Sequence, residues 1–201
     1  MKDLVILVAD KNIEFALRGA LGRHKALAIR SISCEFRAHM GRDGGARSSG
    51  VEILALERRR FAHALLVFDL EGCGVADGEV AVELEARLDA KLSLNWGDCA
   101  KTIVIAPESD VWVWGSDNAL RDAVGWHLTE SPRNWLKAKG FGFDVEGKPE
   151  RPKEALEAML IVHRHPRSSA LYEHVTSRIS LKHCTDPAFK RLHVALRSWF
   201  S

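Results

Sequence analysis

Carboxylates fall at the ends of three apolar runs in this 201-residue chain. Asp10 follows the run LVILVA at 4–9, Asp69 and Glu71 follow AHALLVF at 62–68, and Glu108 and Asp110 follow TIVIA at 102–106. The first run is unbroken, and all three read as strands buried on both faces. In open α/β sheets, sites form beyond the C-terminal ends of the strands. Three neighbouring strands, ~4.8 Å apart, would bring these carboxylates together. Such a group repels itself unless a cation neutralises it. Hard oxygen ligands suit Mg²⁺ or Mn²⁺, and either ion would orient a phosphodiester and generate a nucleophilic water. The competing reading makes each carboxylate a helix cap or a turn former.

The elements that must position these groups follow from patterning. After the first run, Asp10, Lys11 and Asn12 break the strand, and a helix through Phe15, Leu17, Ala20 and Leu21 ends near Gly22. Residues 31–39 alternate, with Ile32, Cys34, Phe36 and Ala38 apolar, which places this second strand at a sheet edge with one wet face. GRDGGARSSG at 41–50 reads as a Gly- and Ser-rich loop, followed by a short helix through Val51, Leu54, Ala55 and Arg58. A helix over 79–94 separates the third and fourth strands. Strands alternating with helices imply right-handed crossovers and a parallel sheet, with 2-1-3-4 as the order that leaves the alternating strand outside. VWVWG at 111–115 reads as a short strand or turn. Helices are expected near 117–125, 131–139, 152–163, 168–180 and 185–199, several opened by proline. The division is an α/β domain over 1–125 and a helical, basic region over 126–201.

Charge divides along the same line. The total is +2, yet residues 126–201 hold 13 Lys and Arg against 8 Asp and Glu, or +5, leaving −3 for residues 1–125. A basic face beside an acidic pocket suits a phosphate-bearing partner and a metal. His39 and Arg42 sit on the same sheet edge as the carboxylates and are candidate phosphate contacts. Arg151 and Lys153 lie at one expected helix start and Arg167 at the next, where backbone amides add to an anion site. The alternatives are a solvated loop and ordinary helix caps.

Much else is excluded. With 46% hydrophobic and 28% charged residues, the composition is globular. No apolar run approaches the ~18–20 residues of a membrane helix, and the first run lacks the features of a signal peptide, so no membrane partner and a cytoplasmic location are expected. The four cysteines are scattered and none forms CxxC, which suits a reducing compartment. Gly72, Gly74 and Gly78 do not make GxGxxG, and no GxxxxGK[ST], GxSxG or HExxH occurs. His163-x-His165 and His183–Cys184 lack a second pair at zinc spacing, and core or surface histidines are the simpler reading.

Three segments carry a resemblance. LVADKNIEF at 7–15, VFDLEG at 67–72 and APESDVWVWG at 106–115 resemble the first-strand, DxD and following segments of the TOPRIM fold of topoisomerases, primases and related nucleases. The resemblance covers about residues 2–125. It implies a metal-dependent phosphodiester-cleaving site with Asp69, Glu71, Glu108 and Asp10 as metal ligands. Glu14, Asp69 and Glu108 would carry the chemistry, and Lys11 would lie among the phosphate contacts. One departure stands out: Ala9 occupies the position of the family's first glutamate, with Asp10 beside it and Glu14 a turn later. The chain as a whole, including 148–160, 167–172 and 184–192, also resembles small proteins that accompany a methylation-associated phage-defence system. The expectation is therefore an Mg²⁺- or Mn²⁺-dependent nuclease-type component of phage defence, with nucleic acid and other defence proteins as partners. The alternative is a non-catalytic TOPRIM-like module that binds a protein or nucleic acid.

Overall fold

The structure, a computed structural model, describes residues 1–76, 78–181 and 184–201; His183, half of one histidine–cysteine pair above, lies outside them. Four strands form one parallel sheet: β1 (Lys2–Val8), β2 (Cys34–Ala38), β3 (Phe61–Asp69) and β4 (Ala100–Ile105), in the order β2-β1-β3-β4. Helices α1 (Lys11–Leu21), α2 (Arg42–Glu57) and α3 (Ala81–Trp96) make the crossovers. The expected fold class and strand order are those observed. Leu4 to Val8 and Ala64 to Phe68 are sealed from solvent, as strands covered on both faces must be. β2 is half-buried from Cys34 to Arg37, exposed at Ala38, and forms one edge, as its alternation requires.

The second half of the chain is helical: α4 (Asp117–Val124), α5 (Pro132–Ala138), α6 (Pro152–Val162), α7 (Ser169–Thr176) and α8 (Pro187–Phe200). It shares one hydrophobic core with the sheet, running from Leu4 to Phe200. α7 lies so close to α1 that a Cβ on Gly19 would stand 2.6 Å from the Glu173 carbonyl oxygen. Thr176 fills the contact, its hydroxyl donating to the Ala16 carbonyl at 2.9 Å.

The outer edge of β4 is blocked by side chains. Asp89 of α3 accepts from the Thr102 amide at 2.6 Å, and Glu85 accepts from the Val104 amide at 2.7 Å. Arg191 of α8 donates to the Val104 carbonyl at 3.1 Å and to Glu85 at 2.9 Å. Carboxylates therefore occupy the amides that another strand would need.

One local expectation is corrected, and one pair of alternatives is resolved. GRDGGARSSG is no loop, because α2 begins at Arg42. Its glycines are there for proximity. A Cβ on Gly45 would lie 2.2 Å from the His39 ring, and one on Gly50 would lie 2.6 Å from Leu66 Cδ1. Low helix propensity is overridden where only a bare backbone can approach. VWVWG, expected as a short strand or turn, is the turn, a 3₁₀ turn within Ser109–Gly115. All four side chains from Val111 to Trp114 are buried. The indoles of Trp112 and Trp114 donate to Asp186 and to the Pro152 carbonyl.

Adjacent glycines in α2 should respond in opposite directions. Gly44→Ala meets nothing closer than 3.9 Å and should stabilise by about 0.5–1 kcal/mol through helix propensity. Gly45→Ala gains the same propensity but pushes away the His39 ring, which hydrogen-bonds Ser49 at 3.0 Å and the Gly41 amide at 2.9 Å. At about 1 kcal/mol for each bond, the loss should outweigh the gain. Thermal melts of the two variants on either side of the parent check this.

Candidate functional site

The C-terminal ends of β1, β3 and β4 open into a cavity of about 330 Å³ whose lining includes Asp10, Asp43, Asp69, Glu71, Glu108 and Asp110. Arg42, Lys153 and Arg167 line the same cavity, so six carboxylates face three cations. Topology explains the convergence. Asp10 stands just beyond β1, Asp69 ends β3, and the Leu70 amide binds the Ile105 carbonyl while the Glu71 amide binds that of Pro107. These bonds tie the β3 loop to the β4 loop and set Glu71 near Glu108. Asp43 arrives from the first turn of α2, where an acidic side chain complements the helix dipole.

Most of these carboxylates hold protein donors. Asp10 caps α1, accepting from the Ile13 amide at 3.0 Å. Asp43 accepts from the Asp69 amide at 2.8 Å. Asp69 accepts from the Ser109 amide at 2.9 Å and its hydroxyl at 3.1 Å. Asp110 accepts from Arg167 at 2.9 and 3.1 Å and from the Tyr172 hydroxyl at 2.7 Å. Arg167 also pairs with Glu157 at 2.6 Å. Glu71 and Glu108 differ: among the described residues neither side chain takes a protein hydrogen bond, although Glu108 is only 9% exposed.

Proton affinities rise at Asp43, Asp69, Glu108 and Asp110. Burial lifts Asp69 well above the usual carboxylate range, with Asp43 and Asp10 adding repulsion. Burial lifts Asp43 and Asp110 as well. Glu108 is pushed up to about 7, first by burial and then by the charges of Asp110 and Glu71. Crowded acids in a concave site are a recurring mark of functional clefts.

Of the residues singled out by sequence, the structure gathers Asp10, Asp69, Glu71, Glu108, Arg42, Lys153 and Arg167 in this cleft. Arg167 arrives there with its guanidinium already engaged. Four others lie elsewhere. Glu14 binds Arg18 at 2.7 Å, one turn along α1. His39 turns inward to Ser49. Arg151 lies over the Phe141 ring at 5.3 Å. Lys11, at the solvent-exposed start of α1, is not part of the cleft lining. Sequence reasoning passed over Asp43, Ser109 and Tyr172. Asp43 was hidden by reading its helix as a loop. Ser109 and Tyr172 gave no local signal, since their roles depend on partners 40 and 62 residues away.

The donor chemistry suits a hard cation, but the arrangement is open. Among the described residues no three His, Cys, Asp or Glu side chains converge as a ready-made cage. Mg²⁺ does not require one, because it is commonly held by one or two carboxylates, waters and substrate phosphates. Glu71 and Glu108, with no competing protein donor, are the groups that fit such a role.

Comparison with protein-family models, with curated proteins and with solved structures gives no match to this chain. Among the described residues no helix is long and apolar enough to cross a membrane.

Proposed function

We propose that this cleft binds a phosphodiester together with Mg²⁺ or Mn²⁺ and cleaves it, as a TOPRIM-like component of phage defence. One observation carries the reading: carboxylates from three strand ends meet in a single cleft in which Glu108 is buried with no side-chain hydrogen bond among the described residues. A bound cation would neutralise that repulsion and activate a water. Glu71 and Glu108 would hold it. Asp69 and Ser109 fix the β3 and β4 loops relative to each other, and so set the spacing of those two glutamates. Arg42 and Lys153, on opposite helices of the rim, would hold phosphate oxygens. Nucleic acid is the natural source of such a phosphodiester, and other defence proteins are proposed partners.

A second reading has its own support. Ala9, 1% exposed, directly follows β1 where the family's glutamate would stand, and Asp10 is used as a cap. A non-catalytic module that binds a protein or nucleic acid would need neither group.

Cleavage of labelled plasmid and single-stranded DNA with Mn²⁺ separates the two, alongside melting with and without the ion. The nuclease reading expects cleavage, an Mn²⁺-dependent rise in melting temperature, and a loss of about 10- to 100-fold for Glu71→Gln. Because the Glu71 side chain is exposed and bonded to no protein donor among the described residues, this variant should fold normally. Absence of both cleavage and the Mn²⁺ shift would leave the non-catalytic module.

A further inference from the structure

We propose that β2 is a dimerisation edge, pairing antiparallel with β2 of a second copy of this chain to join two sheets into one. The two edges of the sheet are treated differently. On β4 the outward amides of Thr102 and Val104 are filled by Asp89 and Glu85. On β2 no side-chain acceptor fills an outward amide among the described residues. The Leu4 amide takes the Ser33 carbonyl, and the His39 amide takes that of Val8. Odd-numbered residues of β2 therefore face β1, and Cys34, Phe36 and Ala38 turn their amides and carbonyls outward. Among the described residues these amides have no partner. The one outward carbonyl with a donor is that of Phe36, which receives the chain's own Arg37 at 3.1 Å.

The sequence of this edge is complementary to itself. Pair two copies antiparallel about Phe36, and every outward amide meets an outward carbonyl. In this register Cys34 lies opposite Ala38 of the second copy, and Glu35 lies opposite Arg37. Both charged pairs then have opposite signs, at non-hydrogen-bonded positions where facing side chains come closest. A two-fold contact uses one patch twice, so a strand reading Glu-x-Arg about its centre supplies both halves. Parallel pairing in register would set glutamate beside glutamate. The neighbouring surface is ready for burial: Ile32, Cys34 and Phe36 are half-buried and line a shallow groove, with the Arg18 guanidinium 4.5 Å above the Phe36 ring.

The test reads mass in solution. Sedimentation of the full chain from micromolar to millimolar concentration should reveal a species of twice 22.4 kDa. Glu35→Arg alone and Arg37→Glu alone should each be monomeric, because each puts like charges face to face. Mixing the two variants should restore the dimer, since each strand then meets its opposite. Neither a misfolded variant nor a general charge effect would give that rescue. Independently, Ala38→Cys should yield a covalent dimer under mild oxidation through Cys34 of the second copy, and adding Cys34→Ser should abolish it. A parent chain that is monomeric throughout, or single variants that still dimerise, would overturn the proposal. Failure to cross-link would overturn the register.

Discussion

Glu108→Gln should make the protein more stable at pH 8 and leave it unchanged near pH 4. The carboxyl of Glu108 protonates at about 7 in the fold and at its ordinary 4.5 when the chain is unfolded. Below 4.5 both states hold the proton, and the residue is neutral in its effect. Between 4.5 and 7 the unfolded chain releases it while the fold keeps it, so stability drains away as pH rises through that window. Above 7 the deficit is constant. A full shift of that size would correspond to about 3 kcal/mol, and water in the open cleft reduces it to about 1–2 kcal/mol. Glutamine keeps the shape and removes the charge, so the variant should melt a few degrees higher above pH 7. Melting curves from pH 4 to 9 check this, and parallel curves for parent and variant would show that Glu108 is not under repulsion. If Mn²⁺ raises the parent's melting point chiefly above pH 7 and does not raise the variant's, the same residue is the cation's ligand. A side chain that weakens the protein where it sits is characteristic of a group kept for binding or chemistry.

Arg167→Ala should act in the opposite direction and more strongly. Asp110 is 3% exposed, and both its carboxylate oxygens accept from Nη2 of Arg167 while one also accepts from the hydroxyl of the buried Tyr172. Removing the guanidinium leaves a buried charge with one neutral donor. Such losses cost about 3 kcal/mol, or a fall in melting temperature on the order of 10 °C for a chain of this length. The pH profile identifies the cause. Without Arg167, burial would lift Asp110 further above its unfolded value, so the deficit should be smallest in acid and grow as pH rises past 4. The double variant Arg167→Ala, Asp110→Asn should recover part of the loss. A deficit independent of pH would assign the effect to lost packing instead.

These two residues also show where sequence is informative and where it is not. β1 and β3 were legible because burial on both faces demands a run without a polar break, and LVILVA and the stretch ALLVF at 64–68 are such runs. β2 was legible from alternation, and with it the order 2-1-3-4. The strand ends then located Asp69, Glu71 and Glu108, since the rule that places sites there depends only on topology. The first turns of α2 were illegible, because glycine and serine disfavour helix locally and the reason for them, close approach to the His39 ring and to Leu66, leaves no periodic signal in the sequence. The engagement of Arg167 was illegible for the same cause: Asp110 is 57 residues away, and no local period records it. Pattern gives what each stretch needs by itself, while commitments between distant side chains decide which charges stay available.

The plugged edge of β4 has a consequence for how the chain emerges during synthesis. Asp89 and Glu85 precede Thr102 and Val104 by fewer than twenty residues. Both carboxylates are thus at hand as soon as β4 itself is made, before any of α4 to α8 exists. The nascent sheet would have its stickiest amides masked by its own recent helix while half the chain is still to come. Arg191, in the last helix, arrives only to cover the carbonyl and neutralise Glu85. Protection against aggregation is therefore built in sequence order, with the acidic plug first and its basic counterpart last.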